Sequence, residues 1–131
     1  MKQLLLLLTA FLLLSVAHAQ KDTNDFVTTW RTYYPGPGGD STVIIFTDSN
    51  YTYNFDVDWD NDGVFDSLGV SNTIVKQYSD TGTYTIRIRG QFPHFRSFIT
   101  PYTPANLYNL HDNGKLLSLD QWGGTAWLSF K

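Results

Sequence analysis

The chain has 131 residues and contains neither cysteine nor glutamate. Without cysteine there is no disulfide, no thiol nucleophile, no cysteine-bound zinc and no lipid-bearing N-terminal cysteine. All 12 acidic residues are aspartate, and beyond residue 19 the only alanines are Ala105 and Ala126. A chain this poor in the strongest helix formers is not a helical bundle, and a Rossmann-like α/β fold is nearly excluded as well. No run of Lys or Arg occurs, and the formal net charge is −3. Nucleic acid and anionic membrane surfaces therefore find no electrostatic footprint. After the N-terminal leader, no apolar run approaches the ~20 residues that span a bilayer.

What is present points to strands. The chain past residue 19 holds 14 Thr, eight Tyr and four Trp. These residues suit pleated, half-buried surfaces. An all-β domain is the expectation.

Residues 1–19 read as a signal peptide. Lys2 is a short positive start, residues 4–14 are almost wholly apolar, and Ala17-His18-Ala19 is a small-residue cleavage site. Removing these 19 residues from 131 leaves 112, with eight basic and 12 acidic side chains and a net charge of −4. That is one domain by length. The chain is expected to be exported, as a secreted or cell-surface protein. The lack of cysteine favours a bacterial source and argues against a lipoprotein.

Residues 20–25 are polar and read as a flexible N-terminus, so the folded domain is expected at 26–131. Strands are expected at 26–32, 41–47, 51–59, 73–78, 83–89, 115–122 and 125–130. Two of these alternate cleanly. Tyr51, Tyr53, Phe55, Val57 and Trp59 share one face. So do Tyr84, Ile86 and Ile88. Period-two alternation marks a strand with one face on a core. About seven strands with turn residues between them suggest a β-sandwich. Residues 91–114 lack a period and read as a long loop. The four tryptophans read as core, and His94 and His111 as surface loop residues.

The sharpest motif is D-x-D-x-D-G-x-x-D at 58–66. Calcium takes six to eight oxygen ligands, and alternate carboxylates around a tight glycine turn can wrap it. Asp58, Asp60, Asp62 and Asp66 are the candidate calcium ligands. The competing reading is a metal-free hairpin turn, because Asp and Asn cap their own turns. Crowding of four carboxylates would be relieved by a bound cation. No catalytic set is visible. The aspartates look solvent-facing and local, and G-x-S-x-G is absent. No cofactor other than calcium is indicated, and a non-catalytic protein is expected. The remaining candidates are aromatic. Phe95, Tyr102 and Tyr108 in the 91–114 loop could stack on a glycan or bury in a protein interface. A carbohydrate-binding module using that loop is the alternative to a spacer or adhesion module.

Residues 56–63, followed by the Y-x-x-x-G-x-Y segment from Tyr78 to Tyr84, resemble the PKD domain. The chain is still more similar to the PKD-like N-terminal module of bacterial BspA-type leucine-rich-repeat surface proteins. The stretches that carry this are 26–30 (FVTTW), 57–63 (VDWDNDG), 82–90 (GTYTIRIRG) with Phe92-Pro93, and 116–123 (LLSLDQWG). The resemblance implies an immunoglobulin-like sandwich at a cell surface, serving adhesion or spacing. Two departures stand out. The segment between Pro93 and Leu116 is longer than expected, and no L-x-x-L-x-L repeat follows the QWG region. Adhesion owed to repeats is therefore not carried over. The DNA downstream of Lys131 is expected to distinguish a stand-alone module from the front of a longer surface protein.

Overall fold

A computed structural model describes residues 22–34, 39–95 and 112–130. The order is β1 (Phe26–Arg31), β2 (Thr42–Ile45), β3 (Asn54–Asp58), β4 (Ser67–Val70), β5 (Ile74–Gln77), β6 (Thr83–Gln91), β7 (His94–Phe95), a 3-10 turn at Asp112–Lys115, β8 (Leu116–Gln121) and β9 (Ser129–Phe130). Among the described residues there is no α-helix, and no helix is long and apolar enough to cross a membrane.

A five-stranded antiparallel sheet has the order β4-β3-β6-β1-β8. A second antiparallel sheet pairs β2 with β5, and β7 pairs with β9 in parallel. The two antiparallel sheets share one core, which makes the architecture an all-β sandwich. The alternation in β3 and β6 explains why. Phe55 and Val57 are paired with Gly90 and Ile88. Val57 and Ile88 therefore drop their side chains onto the same buried face. At Gly90 the φ is +99° and a Cβ would lie 2.7 Å from the Asn54 carbonyl oxygen, so a side chain has no room. Val43 and Ile45 of β2 close the core from the other side.

The centre of the core is aromatic. Phe55 and Phe92 meet edge to face at 4.9 Å, and Phe26 meets Trp127 at 4.8 Å and Phe95 at 5.2 Å. Burial of one such ring contributes about 1.5–3 kcal/mol, with directional ring contacts adding to it.

Several expectations are corrected. Trp122 is 51% exposed and is not core, whereas Trp30 and Trp59 are buried and Trp127 packs against the core. It is displaced because Gly123 and Gly124 turn the chain away after β8, with Gly124 N–H donating to the Asn24 carbonyl at 2.8 Å. His94 is 2% exposed, not a surface loop residue, because β7 adds to β9 at the start of the stretch read as a loop. Within the segment read as a flexible N-terminus, Asp22–Asp25 makes hydrogen bonds to the fold. The Gln121 amide donates to the Asp22 and Asp25 carbonyls at 2.9 and 2.7 Å. β4 was not foreseen, because Ser67-Leu68-Gly69-Val70 is short and carries a positive-φ glycine. The expected strand at 125–130 contracts to Ser129–Phe130.

Candidate functional site

The Asp-rich stretch is the connection between β3 and β4. Val57 pairs with Ser67, and Asp66 N–H donates back to the Val57 carbonyl at 2.9 Å. The local sequence makes this turn by itself. Asn61 has φ 58° and Gly63 has φ 97°, two left-handed positions that Asn and Gly tolerate. Asp58 sits at the end of β3 and is 0% exposed. Its Oδ1 accepts from the Asp60 and Asp62 amides at 3.4 and 3.3 Å, and its Oδ2 accepts from the Gly63 amide at 2.9 Å. A buried carboxylate is tolerable only when so bonded. The expectation that all the aspartates face solvent is therefore wrong for Asp58, and also for Asp25.

The turn brings three of the four candidate ligands together. Carboxylate oxygens of Asp58, Asp60 and Asp66 lie within 4.8 Å of one another. Asp62 is not among them; its Oδ1 accepts from the Val64 amide at 2.7 Å. Asp66 Oδ2 accepts from the Trp59 amide at 3.0 Å. Each carboxylate oxygen has two lone pairs. These three groups therefore suit a hard, oxygen-seeking cation such as calcium, with backbone carbonyls and water completing its shell. The turn's own amide bonds also close it without a cation. The Asp60 carboxyl is pushed above its ordinary value, by partial burial first, then by the charge of Asp62 and its contact with Asp58.

The loop is braced from behind. The Tyr78 hydroxyl donates to the Trp59 carbonyl at 2.7 Å, and its ring stacks on Tyr84 at 3.6 Å between centroids. Burial pushes the Tyr78 phenol well up, aided by the charges of Tyr84, Asp60, Asp66 and Asp58. The Tyr84 hydroxyl in turn donates to the Asp80 carbonyl, four residues upstream, at 2.9 Å.

Arg87 lies opposite Asp58 in the β3–β6 register. Its Nε donates to Asn61 Oδ1 at 2.9 Å, and its Nη1 pairs with the Asp25 carboxylate at 3.0 Å in a buried ion pair. The Asp25–Arg87 pair was missed in the sequence. A lone arginine on the polar face of an alternating strand gives no sign that the segment before β1 covers it. Arg89, two residues on, is exposed, pairs with Asp56 at 3.0 Å and lies 3.8 Å over the Phe65 ring.

The aromatic candidates fare differently. Phe95 is 3% exposed and packs on Phe26 and Trp30, so it belongs to the core and offers no face to a ligand. Tyr102 and Tyr108 lie outside the described residues, as does His111. No family model, curated protein or solved structure matches the chain.

Proposed function

We propose that this chain is an exported, non-catalytic module of the immunoglobulin-like, PKD-type sandwich class that serves as a cell-surface spacer or adhesion unit. One observation carries the reading. The two stretches behind the PKD resemblance pack on one another, with Tyr78 bonded to the Trp59 carbonyl and stacked on Tyr84. The Tyr84 bond to the Asp80 carbonyl supports the same reading. Immunoglobulin-like sandwiches place a tyrosine at a corner in this way, its hydroxyl bonded to backbone a few residues upstream. One feature departs from that class. The strand beside β6, on the side away from β3, is β1 and not the last long strand. In the immunoglobulin sheet a C-terminal strand occupies that place.

In this reading the Asp loop is structural. A calcium ion held by Asp58, Asp60 and Asp66 would brace the β3–β4 connection. The polar groups at the loop point into its own backbone and into Arg87, which suits a rigid unit more than a reacting one. The test uses beads coated with the purified mature chain. Beads that adhere to cells of the same or a neighbouring species, with no turnover in a hydrolase panel, support the proposal. Turnover of any panel substrate that is lost on Asp60→Asn or Asp66→Asn overturns it.

A further inference from the structure

A cleft of about 580 Å³ opens between the turn after β2 and the segment joining β4 to β5. Its walls flank the Asp loop in sequence, but it uses none of that loop's carboxylates. Thr47, Asp48, Ser49 and Tyr51 form one wall, Ser71, Asn72 and Thr73 the other, and Tyr53 contributes to the lining. Its size is typical of small-molecule sites, ~300–1,000 Å³.

The cleft is held in shape from several sides. Thr73 Oγ1 accepts from the Thr47 amide at 3.1 Å, which joins the two walls. Asp48 Oδ1 accepts from the amide and the side chain of Asn50 at 2.9 and 2.8 Å, which fixes the turn. The Tyr53 hydroxyl accepts from the Asp48 amide at 3.2 Å and donates to the buried His94 carbonyl at 3.1 Å. The Tyr51 ring rests flat on the His94 imidazole, at 4.8 Å and 12°. This fixes the ring plane of an aromatic side chain that is only half-buried at the cleft wall.

The lining chemistry selects among ligands. Among the described residues it includes no Lys or Arg. Phosphate, sulfate and carboxylate groups would find no counter-charge. It also lacks the aliphatic side chains that an acyl chain or apolar metabolite would need. What it offers is the Ser49 hydroxyl, the Thr47 and Thr73 hydroxyls, which bond each other at 3.4 Å, the Asn72 amide, which donates one N–H to the Ser71 hydroxyl at 3.3 Å and has its Oδ1 and second N–H besides, one carboxylate and the Tyr51 ring. Hydroxyls both donate and accept. A neutral sugar presents the same dual groups on its edge and C–H bonds on its face, and the latter suit an aromatic ring. We propose that this cleft is a binding site for a short neutral oligosaccharide, with Tyr51 as its stacking surface and Asn72 as a specificity-setting hydrogen-bond partner. A second polar cleft, lined by Asp22, Asn24, Asp25, Asn54, Asp56, Arg89 and Gly90, has no ring, and its Asp25 and Asp56 are already in ion pairs.

The test is saturation-transfer NMR of the mature chain against neutral gluco-, manno- and N-acetylglucosamine oligomers, with a sulfated oligomer as control. A neutral oligomer is expected to bind at micromolar to millimolar concentration, and the sulfated one is not. Asn72→Ala, an exposed change away from the core, should weaken binding about tenfold, as loss of a ligand hydrogen bond does. Tyr51→Ala should abolish it, with thermal melting used to check that the variant remains folded. Absence of binding by every neutral oligomer overturns the proposal. So does binding that survives both variants, or that is lost only on Tyr102→Ala or Tyr108→Ala. The spacer reading is separate, since bead adhesion can persist in Asn72→Ala.

Discussion

The Tyr78 hydroxyl donates to the Trp59 carbonyl at 2.7 Å across the core. One end of this bond is on the turn before β6, and the other is on the first residue of the Asp loop. Trp59 in turn anchors its indole N–H on Ser67 Oγ at 3.0 Å, at the start of β4. The loop is therefore framed by two aromatic side chains whose polar tips are satisfied. Tyr78→Phe should cost about 1–3 kcal/mol in urea unfolding, because it leaves a buried carbonyl without its donor. Tyr84→Phe, whose hydroxyl bond is exposed, should cost less, about 0.5–1.5 kcal/mol.

Asp58 accepts from three backbone amides while fully buried. Asp58→Ala would leave those amides unbonded and open the turn. A loss of about 2–4 kcal/mol is expected by chemical denaturation, near the upper range for a charge-accepting bond set. A loss under ~1 kcal/mol would show that the loop forms without it.

The raised Asp60 carboxyl gives a pH signature with a definite sign. The folded state holds this proton more tightly than the unfolded state, so ionising the group opposes folding. The penalty is present above the folded-state pKa and disappears as pH falls below the ordinary value of 3.8. In chelator at pH 7, Asp60→Asn should therefore melt slightly higher than the parent. The gap should close as pH is lowered toward 3.8. A variant that melts lower at pH 7 would contradict the crowding argument.

Calcium should reverse the order of those two proteins. With the ion at millimolar concentration the parent should gain melting temperature, since a ligand bound only by the folded state stabilises it. Asp60→Asn and Asp66→Asn should gain little. Calorimetry showing no heat, together with no thermal shift in the parent, would remove the ion from the account.

The buried Asp25–Arg87 pair fastens the segment before β1 to β6. Asp25→Ala strands a buried guanidinium and should cost about 3–5 kcal/mol. Hydrogen exchange should then rise over Asp22–Phe26 first.

The fold was legible where residues repeat with period two. Val57, Ile86 and Ile88 were placed inward by pattern alone, and they are buried. The turn at 60–63 was legible because Asn and Gly favour left-handed backbone. Other features depended on tertiary partners. The three amides that enclose Asp58 are local, as self-capping Asp turns allow, but its complete burial depends on the rest of the fold. His94 looked like a loop residue because the partner of its two-residue strand is Ser129–Phe130, far along the chain. The D-x-G-x-Y run from Asp80 to Tyr84 closes on itself, since its first residue supplies the carbonyl that accepts from the Tyr84 hydroxyl. The hydroxyl-lined cleft had no motif at all. Its walls come from two turns bridged by Thr47 and Thr73.

Export of this sandwich from the cytoplasm is the proposal on which its surface role depends. N-terminal mass spectrometry of the chain recovered from fractionated bacterial cells tests it directly. The account predicts a polypeptide beginning at Gln20 in the surface or extracellular fraction. A chain that retains Met1–Ala19 and stays in the cytoplasm would contradict it.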